Sequence, residues 1–307
     1  MLNLSQYSLM AGLSMVVVAL VCYILALTMG RSVKRAPVAA HAKVGASVGA
    51  GGGAGEDPDE GPDEGGVQPR VARPPRALAL YCTYITWLAL LFLTVTLVLR
   101  SIVVGHGPFG NQYEFAVAFG WGMVLAYVYI EQKYHVRTIA LLILPLTAGI
   151  LLYALSVGST DNPLVPALQN NLLLTIHVAV AIVAYGAFAV SFAAAVLYLI
   201  QPEEGRPGLP KPALLDEIGY RSVIIAFPLL TLVVVLGAVW ASIAWGTYWS
   251  WDPKETASLL TWLIYGAYLH ARVARGWVGR RAAWLLVVGF ASVLLTFFGN
   301  LFFGGLH

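Results

Sequence analysis

Eight separate apolar runs, each close to the ~20 residues a helix needs to cross roughly 30 Å of hydrocarbon, constrain this chain more than any other feature. They lie at 9–30, 77–99, 114–130, 136–157, 172–200, 222–244, 255–274 and 282–304. With 59% hydrophobic and 11% charged residues over 307 positions, too little polar surface remains for ordinary soluble domains. The sequence therefore predicts an all-α polytopic membrane protein of about eight transmembrane helices. The first run is expected to be retained as a span. No basic segment precedes it, it exceeds a signal-peptide core in length, and its positive flank, Arg31-Ser-Val-Lys-Arg35, follows it.

Lys and Arg accumulate in loops that stay on the cytoplasmic side, so their distribution predicts orientation. Placing the N-terminus outside leaves only Arg100 and Lys254 of the 18 Lys and Arg residues outside. The opposite orientation reverses that ratio, so N-out and C-out is expected. The net charge of +3 then reflects topology and gives no reason to expect nucleic-acid binding.

The organisation follows: a first transmembrane helix at 1–30, a linker at 31–76, and a seven-helix membrane domain at 77–307. The linker is rich in Ala, Gly, Val, Pro and acidic residues, cannot build a core, and is expected to be disordered and cytoplasmic. His41 falls in it, where no site would be preorganised. Cys22 and Cys82 both fall inside spans without a Cys-x-x-Cys spacing, and are expected to be small packing residues with no thiol–disulfide role.

Chemistry concentrates between the sixth and seventh spans, in Trp245-Gly-Thr-Tyr-Trp-Ser-Trp-Asp-Pro-Lys-Glu255. Three Trp and a Tyr in so short a stretch suit either an aromatic belt at the membrane interface or a rigid wall for a large flat apolar ligand. Trp245, Trp249 and Trp251 are the candidate platform. Asp252, Pro253 and Glu255 have the spacing of a helix start, with Asp252 as N-cap and Glu255 three residues on, and are expected mainly to shape the turn. Lys254 or Arg100 could pair with a ligand carboxylate.

An ionisable side chain within a span is a functional candidate. His177 lies about one turn into the fifth span, and His307 is the last residue; the predicted topology brings both to the face that carries the Trp-rich turn. Two imidazoles flanking an aromatic wall are what axial ligation of haem iron requires. His270 lies 17 residues beyond Pro253, about 26 Å of helix, and so sits in the other half of the seventh span. It either packs against a polar neighbour or ligates at a second position. Within the chain only His135, expected at the inner end of the fourth span, lies at similar depth. His106, in a loop, is expected to serve that loop or a pathway.

These residues carry a resemblance. Gly105-His-Gly-Pro-Phe-Gly-Asn-Gln-Tyr-Glu114 is similar to a GHFPLSNLYE stretch of the CcsA (ResC) proteins of system II cytochrome c biogenesis, haem handlers defined by a WWD motif; Gln112 stands here for Leu. Leu164-Val-Pro-Ala-Leu168 before His177, the segment from Trp240 to Glu255, Tyr268-Leu-His270 and Gly304-Gly-Leu-His307 continue the likeness. The resemblance implies that His177 and His307 are ligands flanking the WWD loop at 245–255. It makes His270 a ligand of a transmembrane haem site completed by a CcsB (ResB)-like partner subunit.

The expected function is delivery of haem b, as a transient ligand, to the outer face of a bacterial plasma membrane or thylakoid-type membrane. There it would be presented to an apocytochrome c carrying Cys-x-x-Cys-His, as part of a haem lyase or synthase complex. The cysteines then belong to the substrate. Other readings are a bis-His, cytochrome b-like electron carrier, a system I-type WWD haem handler, and a solute transporter whose Trp residues only anchor it.

Overall fold

A computed structural model describes residues 1–32, 76–158 and 172–302. The linker apart from its end residues, His41, the 164–168 segment and His307 lie outside the described residues. Within them are eight helices: α1 (Leu2–Ser32), α2 (Arg76–Val104), α3 (Gln112–Tyr134), α4 (Ala140–Val157), α5 (Leu172–Leu199), α6 (Pro212–Trp245), α7 (Pro253–Arg275) and α8 (Arg280–Phe302). Helix is the form a spanning segment takes when no water is present to satisfy its backbone groups. Seven of the eight are long and apolar enough to cross a membrane by themselves; α7 is not. Its interior carries Thr256, Ser258, Thr261 and His270, and charge gathers at both ends.

Contacts between helices fix their directions. Ser8 Oγ donates to the Phe92 carbonyl at 2.9 Å, setting the start of α1 against the far part of α2. Thr261 and Thr296 meet at 3.3 Å, joining the start of α7 to the end of α8. At the other end of the bundle, Tyr23 Oη donates to Glu131 at 2.8 Å, and Arg272 forks onto Asp216 at 3.0 and 2.5 Å. The helices therefore run up and down in alternation.

The middle of the bundle is α5. Tyr185, Phe188 and Ser191 are buried, and Phe188 stacks on Tyr265 of α7 with ring centroids 3.7 Å apart. Phe192 stacks on Phe290 of α8 at 4.8 Å. Where α5 meets α3, Gly186 lies directly on the carbonyl of Gly122, a backbone-to-backbone approach that only small residues permit in a membrane bundle.

Several helix limits differ from the sequence expectation. Helix α3 runs on to Tyr134, because buried Glu131 is satisfied there by Tyr23 and Arg137. His135, expected at the inner end of the fourth span, lies in the connection between α3 and α4 as the C-cap of α3, in the left-handed region with φ of 54°. Helix α6 begins ten residues earlier than its apolar run, since its polar first turns are held by the Asp216–Arg272 pair. Sequence spacing suggested no pairing of Cys22 and Cys82, both free cysteines here, yet the two meet. Their Sγ atoms lie 2.6 Å apart across α1 and α2, because antiparallel register joins positions that sequence spacing leaves unconnected.

The Gly122–Gly186 crossing sets a test. A Cβ added at position 186 falls on the Gly122 carbonyl, which a backbone cannot easily vacate. Gly186→Ala should cost about 1–3 kcal/mol, the scale of an overpacked core, and lower the thermal midpoint of the detergent-solubilised protein.

Candidate functional site

Helix α6 ends at Trp245 because Gly246 takes φ of 77°, a left-handed cap that residues with a Cβ rarely adopt. Six residues later α7 starts with the expected capping arrangement. Asp252 is the N-cap, its Oδ1 accepts from the Lys254 amide at 2.9 Å, and Pro253 occupies the first turn. Glu255 closes the reciprocal half: its Oε2 accepts from the amides of Ser250 at 2.8 Å and Asp252 at 3.3 Å.

That single carboxylate oxygen grips both neighbours of Trp251. Between them Trp251 has φ of 59°, a costly backbone state for a bulky residue that persists only where surrounding contacts enforce it. The result is a 69%-exposed indole standing off the turn, edge-on to Trp249 with centroids 5.7 Å apart. Trp245 is edge-on to buried Trp240 at 6.0 Å. Trp245 thus anchors the turn to α6, while Trp249 and Trp251 form its projecting surface. Asp252 is buried beneath as the cap.

His177 projects from α5 onto α6. Its ring fills the space a side chain at Gly237 would take: a Cβ there would lie 2.9 Å from the His177 Cε1. Gly237 precedes Trp245 by eight residues, so the imidazole lies about 12 Å along the α6 axis from the start of the turn, at the same end of the bundle.

Beside it lies the loop that carries His106. Gly107 packs on Thr175, two residues before His177, and His106 Nδ1 is 2.7 Å from the Gly107 carbonyl. Phe109 joins a small apolar cluster with Leu174 and Val178 of α5. The loop is held by Glu114, which takes the Gly110 amide at 2.8 Å on one oxygen and Arg100 at 2.8 Å on the other. Arg100 is 3% exposed in that pair, so it is committed to a structural role and is not a free cation for a ligand; Lys254 is left as the candidate. Gln112 and Phe115 both engage Phe297 of α8, through a hydrogen bond to its carbonyl at 3.3 Å and a ring stack at 5.4 Å.

His270 is not part of this constellation. It is exposed near the other end of α7, on a stripe with Leu260, Leu263 and Ala267. The opposite stripe, Ala257, Thr261, Tyr265 and Tyr268, faces the bundle. The structure thus brings His177, the 105–111 loop and the Trp-rich turn to one end and sets His270 apart. Sequence reasoning missed Gly237 and Glu114 as parts of this framework. A glycine in the middle of an apolar helix was the available signal for the first, and a lone acid at the start of a span for the second.

Residues 109–307 match the model of a family described as cytochrome C assembly protein. A cytochrome c biogenesis protein CcsA from Guillardia theta is 37% identical over 250 residues, covering 72% of this chain and 83% of that protein. The CcsA protein of Prochlorococcus marinus subsp. pastoris is 37% identical over 259 residues, covering 74% and 82%. That of Gloeobacter violaceus is 35% identical over 281 residues, covering 71% and 83%. Among solved structures, a cytochrome c heme lyase, CcmF, shares the fold with a TM-score of 0.56 at 20% identity; the match covers 95% of this chain and 46% of that one.

Glu255→Ala removes the acceptor that holds the backbone on both sides of Trp251. Loss of such a cap should cost roughly 1–2 kcal/mol, seen as a lower thermal midpoint, and the freed indole should show a shifted fluorescence maximum. Glu255→Gln, which retains an acceptor oxygen, should lose less.

Proposed function

Since the chain belongs to the cytochrome c assembly protein family, we propose that it is the haem-handling subunit of a system II cytochrome c synthase. It takes haem b as a substrate and presents it at the Trp-rich turn for attachment to apocytochrome c. The observation that carries this reading is the seat of His177, an imidazole lodged on Gly237 at the same end of the bundle as the Trp-rich turn.

The donor chemistry suits haem. A neutral imidazole is an iron ligand, and the Trp249 and Trp251 rings supply the rigid apolar surface a porphyrin needs. His177 and His307 are the two ligands in this proposal. Trp245, Trp249 and Trp251 form the wall, and Asp252 keeps the wall in place. Lys254 stands beside it for a propionate. The substrate protein brings Cys-x-x-Cys-His; its two thiols add across the haem vinyl groups with no group leaving, which requires no cysteine from this chain.

Orientation is supported by charge. Among the described residues, Arg100 and Lys254 are the cations at the Trp-rich end, while Lys133, Arg137, Arg206, Lys211, Arg221, Arg272, Arg275, Arg280 and Arg281 gather at the other. That asymmetry favours a Trp-rich turn on the extracytoplasmic side of a bacterial plasma or thylakoid-type membrane. An imidazole on an apolar exposed stripe is costly against lipid, so His270 is assigned to a second haem position completed by a CcsB-like partner subunit that covers α7.

In the complex purified with its partner, His177→Ala and His307→Ala should each diminish the haem absorption of the outer site and abolish cytochrome c assembly. Unchanged spectra together with unchanged assembly would show the ligand assignment to be wrong. Gly237→Ala, which displaces the His177 ring, should weaken haem retention roughly tenfold, the scale on which disturbed orienting contacts act. His270→Ala should remove the haem that depends on co-expression of the partner and leave the outer signal in place.

A further inference from the structure

We propose that Cys22 and Cys82 form a redox couple inside the bundle, a dithiol that a lipid-soluble quinone oxidises to a disulfide joining α1 to α2. These are the only two cysteines of the chain, and they face one another with Sγ atoms 2.6 Å apart. A disulfide requires the two sulfurs to close from there to about 2.05 Å.

The pairing is held by the register of the two helices. Toward one end, Ser5 and Ser8 of α1 donate to the Thr96 and Phe92 carbonyls of α2, at 3.4 and 2.9 Å. Further along, Gly12 lies so close to Leu93 that a Cβ there would come within 3.0 Å of the Leu93 side chain. One residue past Cys22, the Tyr23 hydroxyl binds Glu131 at 2.8 Å and meets Thr86 at 3.5 Å; Thr83, one residue past Cys82, donates to the same carboxylate. These contacts run from the far part of α2 down to the residues next to the thiols and set the register of the two helices.

Surroundings select the oxidant. Cys82 is fully buried, and half-buried Cys22 lies among Val21, Ile24 and Leu25, exposed apolar side chains of a helix long and apolar enough to span. A charged disulfide from water would have to leave its hydration to reach them, whereas a quinone dissolved in hydrocarbon would not. The step balances: the two thiols lose two protons and two electrons as the sulfur–sulfur bond forms, and the quinone takes all of them to become a quinol. Oxidation makes the α1–α2 pair covalent across the intervening segment 33–75. The couple lies toward the opposite end of the bundle from the Trp-rich turn and does not depend on how that turn functions.

Two cysteines make the test unambiguous. Membranes containing the full chain are reduced, washed, treated with a short-chain quinone, and denatured in detergent with N-ethylmaleimide to block free thiols. After reduction, a polyethylene glycol maleimide counts the sulfurs that had been in a disulfide. Two adducts per full-length chain are expected after quinone, none without it, and none in Cys22→Ser or Cys82→Ser. Any other number after quinone, or adducts that persist in either single variant, would overturn the couple.

Discussion

The bundle depends on the contact between Gly122 and Gly186, where α3 and α5 meet with nothing but backbone between them. Lipid tails are as apolar as the side chains they would replace, so helices in a bilayer gain most where close packing is available. That approach places α5 at the centre, and its aromatic side chains then organise α7 and α8 through the Phe188–Tyr265 and Phe192–Phe290 stacks. The N-terminal part of α5, which carries His177, is thereby fixed relative to α6 and to the 105–111 loop.

Charge is used sparingly and locally. Arg100–Glu114 and Asp216–Arg272 each secure a junction between elements, one at either end of the bundle. Glu131 gathers Tyr23, Thr83 and Arg137 from three other segments. Each carboxylate accepts several donors at once, which is what makes ionised groups tolerable in such surroundings. The Trp-rich turn itself contains none of these pairs; its shape comes from a helix cap and a left-handed tryptophan.

How far the sequence could be read follows from what one-dimensional patterns encode. Apolar run length gives depth in the bilayer, so the helices were legible, as was the Asp252–Glu255 cap, which is purely local. Azimuth is different. Which side of a uniformly apolar helix faces a neighbour is decided by packing among elements distant in sequence. For that reason the seat of His177 on Gly237, the commitment of Arg100 to Glu114 and the meeting of Cys22 with Cys82 were hidden. The extension of α3 from the expected 130 to Tyr134 has a related cause, since Glu131 finds its partners on other segments. The family resemblance supplied expectations of residue roles that periodicity does not encode.

Helix α7 combines a bundle-facing stripe of Ala257, Thr261, Tyr265 and Tyr268 with an exposed stripe that includes His270, and it is the one helix among those described too polar to qualify as a span by itself. That has a consequence for biosynthesis. A segment whose transfer from water into lipid is only weakly favourable does not settle there independently; it enters with company. The Thr261–Thr296 contact makes α8 its natural companion, a hairpin in which each hydroxyl is satisfied before it meets hydrocarbon. The helix that carries the exposed His270 is therefore the one whose place in the membrane depends most on a surface that its neighbours provide.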